Sequence, residues 1–229
     1  VRKGKIMFGI KKLVNMTKSK VLLMLFVTSF MFTLSSCKDE DSVVAPDPLT
    51  KSSYRDLDDS MQKLWADHMQ WTFATVDAYF NNQGALQAQL GRLLKNQEDI
   101  GAAIVPYYGQ AAGDQLTLLL KAHINGAVPV LQAAKEGNQS ALEQAIADWR
   151  QNAEEISDFL TSANPKYWEQ SHMRLHMDDH ITQTIAYSVD LLKQDYSQAV
   201  IDYDIAFNNM MHFSKTLALG IAYQYPDKF

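Results

Sequence analysis

Histidine is the residue type in this sequence with the widest chemistry, and three of its six copies stand where helices turn toward a core. His68 lies in a row with Leu57, Met61, Leu64, Thr72, Thr75 and Tyr79, His123 with Leu116, Leu120, Ala127, Val130 and Ala134, and His180 with Met173, Met177, Thr184 and Leu191. Spacing by three and four places such residues on one face of a helix. A buried imidazole without partners is costly, so each should meet another polar group. Candidates stand close by: Arg92, Asn96 and Asp99 at i, i+4, i+7, Asn152 between Trp149 and Ile156, and Asp179 beside His180. In an antiparallel bundle these mid-helix positions can meet in one layer.

Two chemistries are open for that layer. One is a centre for a divalent transition metal, with His68, His123, His180 and Asp99 as ligands from facing helices. The other is a hydrogen-bonded core network holding Asn96, Asn152, Arg92 and Asp179 with the histidines, which sets helix register and does nothing more. A third, hydrolase-type reading uses His180 with Asp179 or Asp99 as general base, but no nucleophile or oxyanion donor accompanies it. No catalytic residue is therefore assigned.

A second cluster is "EQSHMRLHMDDH", residues 169–180. His172, His176 and His180 recur every four residues, so adjacent pairs can chelate an ion from one helical face. Glu169 and His172 form one Glu-x-x-His pair, whereas a di-iron carboxylate bundle needs two and further glutamates. No H-E-x-x-H is present. The methionines, Phe207, Phe213 and the tryptophans read as core filling.

Helices must position all of these groups. Period-2 alternation and hairpin signals are missing, and helical periodicity covers the chain from Ser52 onward. Turn-forming stretches divide it near 52–81, 84–105, 112–136, 139–162, 166–194 and 196–223, with a kink expected at Pro129. Short connections make neighbours antiparallel, so residues 52–229 are expected to form an all-α, up-and-down bundle of about six helices. No phosphate-cradling glycine motif and no nucleophile elbow appears.

The N-terminal part has another composition. Residues 1–36 hold seven Lys or Arg and no acid, and end in "VLLMLFVTSFMFTL" before "SSC". A charged region, a short apolar region and small residues together read as a secretory signal peptide. Met16 opens a complete signal of its own, so translation is expected to begin there. Residues 37–51, acidic and then Pro-containing, read as a flexible tether. Without the signal, 14 basic residues face 26 acidic ones, a net charge near −12, which speaks against nucleic acid as a partner.

"LSSC" ending at Cys37 resembles the lipobox of bacterial lipoproteins, which implies lipid on Cys37 and a membrane partner through it. "KDED" after the cysteine resembles the export signal of Bacteroidota lipoproteins displayed on the outer leaflet. That resemblance implies a chain secreted across the inner membrane and anchored at the outer one. Further on, "LWADHMQWT" (64–72), "GRLLKNQEDIGAAIVPYYG" (91–109), "LTLLLKAHI" (116–124), "WRQNAEEISDFLTSANP" (149–165) and "QYPDKF" (224–229) resemble an uncharacterised family of small bacterial helical-bundle proteins. The resemblance implies that His68, Trp71, Asn96, His123, Asn152, Asn164 and His180 make a shared central feature. Relatives carry an arginine after the Trp-Thr pair; Phe73 stands there in this chain and counts against an anion site. The function expected is a lipid-anchored binding or interaction module of the cell envelope, with a metal-binding bundle as the alternative.

Overall fold

The computed structural model describes residues 47–229. The expected signal peptide, the expected lipid site at Cys37 and the expected tether as far as residue 46 lie outside the described residues.

Six helices run in succession: α1 (Ser52–Asn81), α2 (Gln83–Tyr108), α3 (Gln110–Glu136), α4 (Gln139–Ala163), α5 (Gln170–Lys193) and α6 (Tyr196–Gln224). Among the described residues there is no strand. Side chains and special backbone conformations mark the ends. Asn138 Oδ1 accepts the Ala141 N–H at the start of α4, and Asp195 Oδ1 accepts that of Gln198 at the start of α6. Gly137 ends α3 in the left-handed region, a position that suits a residue without Cβ.

Two boundaries differ most from the sequence expectation. α2 continues through Pro106 to Tyr108, because a proline so close to a helix end removes little of the hydrogen-bond ladder. α3 holds Pro129 in its interior, as its expected limits had it. α5 begins at Gln170 rather than 166. The chain first turns with the N–H groups of Tyr167 and Trp168 on the Asn164 carbonyl, and the Glu169 carboxylate then accepts those of Ser171 and His172. The end of the expected flexible tether is also a correction. Pro48–Thr50 form a 3₁₀ turn capped by Asp47, and Leu49 packs against the core.

The bundle is antiparallel and up-and-down. Each helix packs on the next, α6 returns against α1, and α1 also meets α5. Helices α1 to α5 thus surround the centre, and α6 covers the seam between α5 and α1.

The two ends of the barrel-like space are filled differently. Near the start of α1, Met61, Trp65, Ile104, Leu116, Leu160 and Trp168 are among the residues that leave a void of only about 10 Å³. Glycine allows α2 and α3 to touch there: a Cβ at Gly113 would lie 2.7 Å from the Gly101 carbonyl oxygen. Gly220 leaves room for the Trp168 indole, whose Nε1 donates to the Thr216 carbonyl at 3.2 Å. Asn164 donates to the Gly220 carbonyl at 2.9 Å. The opposite end, where α1, α3 and α5 finish, is hollow.

Among the described residues no helix is long and apolar enough to cross a membrane.

Candidate ligand-binding site

Three helices carry one histidine each to the same level. His180 of α5 stands between the others, its ring centroid 5.6 Å from that of His68 on α1 and 5.7 Å from that of His123 on α3. None is more than 2% exposed. Tryptophans back the outer two: Trp65 packs edge-on against His68 at 5.5 Å, and Trp149 lies over His123 at 5.1 Å while donating to the His123 carbonyl. The stripe positions therefore did bring His68, His123 and His180 together.

A chain of amides orients two of the rings. Asn96 donates from Nδ2 to the Leu64 carbonyl, and its Oδ1 accepts from Gln97 Nε2. Gln97 Nε2 also donates to the Leu93 carbonyl at 2.8 Å and stands 3.3 Å from His68 Nδ1. On the other side Asn152 donates from Nδ2 to the Leu119 carbonyl, which turns its Oδ1 toward His123 Nδ1 at 2.9 Å. His68 Nε2, His123 Nε2 and His180 Nδ1 have no hydrogen-bond partner.

The cluster is uncharged at neutral pH. Burial pulls His68 down to about 3, repulsion from His123 adds to this, and the Gln97 bond opposes it. Burial likewise lowers His123 to about 4 against the opposing Asn152 bond. His180 is driven well below the usual imidazole range by burial and by both neighbours.

Beyond the imidazoles the bundle opens into a cavity of about 170 Å³. Its walls come from α1 to α5, and no side chain lining it is an acid, a lysine or an arginine. Small residues make the space: Thr72, Thr75, Ala127, Ala134, Thr184 and Ser188 occupy inward positions that larger side chains take at the packed end. Leu93, Ile124 and Val130 around the inner part are buried. Toward the helix ends Tyr79, Phe80, Leu86 and Leu142 are half-buried and Val128 is 38% exposed, so the cavity approaches the surface there. A closed apolar space of roughly 150 Å³ accommodates benzene, which sets the size of guest this one can take.

No family model, no curated protein and no solved structure matches this chain.

The remaining candidates divide clearly. Asn96 and Asn152 belong to the histidine network as expected, and Gln97, placed among the apolar row of α2, is its third amide. Asp99 does not: it is half-buried on the outside, 2.9 Å from Lys95 and 3.8 Å from Arg92. Arg92 is a surface group too, paired with Asp67 at 3.3 Å and standing over the Trp71 ring. Asp179 is half-buried and in none of the cluster's hydrogen bonds, because adjacent helical residues diverge by about 100°. Without Asp99 or Asp179 at His180, the general-base pair is not assembled.

His172 and His176 form no joint site. His172 is 75% exposed beside Glu169, and His176 Nδ1 is 3.2 Å from Asn209 Oδ1. Among the described residues no three His, Cys, Asp or Glu side chains are grouped so as to hold a metal ion. Of the residues expected from the family resemblance to make one central feature, Asn164 sits at the packed end and Trp71 stands under Arg92 on α1, so neither joins the histidines. Phe73 packs against Tyr187 and Tyr203, an aromatic contact with no cation in it.

Proposed function

We propose that this protein is a binding module of the cell envelope, held to the membrane by lipid on Cys37, which takes a small and mainly apolar molecule into the histidine-floored cavity. The observation that carries the reading is an uncharged space of about 170 Å³ ending on three buried imidazoles with unpartnered nitrogens. A void lined by apolar side chains costs roughly 24 cal/mol per Å³, on the order of 4 kcal/mol here, and a guest recovers part of it. The signal peptide and the acidic residues after Cys37 support placement at the outer membrane. Titration of the purified protein with benzene-sized to naphthalene-sized compounds, followed by melting temperature and by histidine ring proton shifts, tests the proposal. Saturable stabilisation with shifts at His68, His123 and His180 is expected. Flat melting curves and unmoved ring signals across the series would refute it.

A second reading, a transition-metal site on His68, His123 and His180, is favoured by the neutral imidazoles and their free nitrogens. Against it stand the grouping of the side chains, no three of which are set to hold one ion among the described residues, and the lack of any carboxylate to offset a dication in an apolar interior. Metal analysis of the purified protein, with melting curves in zinc, copper, iron and manganese, separates the two.

A further inference from the structure

At His123 the floor of the cavity has a definite polarity, fixed by an amide outside it. Asn152 is held by its bond to the Leu119 carbonyl so that an oxygen, not an amino group, meets His123 Nδ1. Nδ1 must then carry the proton, and Nε2 of His123 is a bare lone pair. At His68 no tautomer is fixed in this way: both hydrogens of Gln97 Nε2 go to the Leu93 carbonyl and Asn96 Oδ1, and none remains for His68 Nδ1 at 3.3 Å. The cluster therefore keeps one unused acceptor of fixed sense, on a residue 2% exposed. Thr75 and Thr184 add two hydroxyls without partners on the adjoining walls.

We infer that the cavity selects a neutral guest whose apolar body fills the space and whose single hydroxyl-type group donates to His123 Nε2, as in the phenol class. The inference rests on the proposed ligand-binding function and names its chemical class. Two observations argue against a charged guest. No side chain lining the cavity carries a charge, and three imidazoles in contact resist the proton an anion would need. A purely apolar guest leaves His123 Nε2 unpaired, which the structure already does at a cost.

Phenol, toluene, benzoate and benzylammonium are titrated into the full-length protein at pH 7.5 by calorimetry, with ¹⁵N signals of the imidazole rings recorded in parallel. Phenol should bind at least as tightly as toluene although it gives up more hydration. The His123 Nε2 signal should move with phenol and stay with toluene. Benzoate and benzylammonium should bind at least tenfold more weakly than phenol. In H123L the order should invert, toluene exceeding phenol by tenfold or more.

Toluene binding tenfold tighter than phenol in the unsubstituted protein would overturn the inference and leave the ligand-binding reading standing. Benzoate matching phenol, seated with its carboxylate toward the rim, where Lys135 stands over the ring of the lining residue Tyr79, would overturn it as well. Binding of none of the four would overturn both. The comparison of phenol with toluene needs no variant, so a poorly folded H123L does not decide it.

Discussion

The two ends of this bundle are made of the same helices and have opposite interiors. At the end where α1 begins, Trp65, Trp168, Ile100, Ile156 and Ile221 interlock around about 10 Å³, and Gly101, Gly113 and Gly220 let backbone and indole approach closely. At the other end threonine, serine and alanine replace the bulky residues and leave about 170 Å³ above three histidines. Helical periodicity is alike in both. Side-chain volume at inward positions is what differs, and with it the balance between stability and binding. The packed end and the short turns hold the helices in register, so the hollow end can carry a void and an unpaired polar floor without collapse.

Acid should expose the largest difference between the ends. The unfolded chain protonates its histidines near pH 6.5, whereas folded His68 and His123 resist until about 3 and about 4, and His180 resists with them. Their folded values are depressed, so stability is full above pH 6.5 and is lost as pH falls toward 4 and then 3. A tenfold drop in proton affinity on folding corresponds to about 1.4 kcal/mol, so the loss from His68 and His123 is on the order of 5 kcal/mol or more, and His180 acts in the same direction. Urea unfolding at pH 7.5 and pH 5 measures it. A triple variant with leucine at His68, His123 and His180 should show a much flatter profile; equal slopes in both proteins would place the acid sensitivity elsewhere.

Large-to-small substitution should separate the ends next. Ile156 is fully buried at the packed end, and Ile156→Ala should cost about 4 kcal/mol through lost contacts and a new cavity. Ile185 lines the hollow end and is half-buried, so Ile185→Ala enlarges an existing space and should cost about 1 kcal/mol. Similar losses in chemical denaturation would mean that the cavity is closed and packed in solution.

Most of the fold was legible because helical period and turn residues are local properties. The six helices stand within a few residues of their expected limits, and the largest miss, the start of α5, came from a glutamate serving as N-cap, a rare choice. The meeting of His68, His123 and His180 was legible for the same reason: apolar stripes identify inward faces, and mid-helix positions lie at one level. Asp99 and Asp179 went astray because a stripe defines a direction only to within one neighbouring residue. Lys95 and Arg92 draw Asp99 to the surface, and Asp179 turns about 100° away from His180. The cavity could not be read at all. It depends on the summed volume of side chains from five helices at one height, although Thr72, Thr75, Ala127, Ala134 and Thr184 on stripe positions were its trace in the sequence.

Adding volume gives the smallest effect and the one whose sign distinguishes the ends most directly. Ala134 lines the cavity and is half-buried, so Ala134→Leu places three carbons in empty space. Their burial is worth about 2 kcal/mol, less about 0.5–1 kcal/mol of side-chain entropy, for a net gain near 1 kcal/mol. Ala222 on α6 is fully buried beside Ile221, and Ala222→Leu forces the same carbons into filled space at a cost of about 1–3 kcal/mol. Melting temperatures should therefore move in opposite directions, up for Ala134→Leu and down for Ala222→Leu. The stabilised variant should at the same time bind toluene and phenol at least tenfold more weakly, since the new side chain occupies the guest's place. Stabilisation with unchanged binding would put the guest elsewhere, and destabilisation by Ala134→Leu would show that the hollow end has no room to fill.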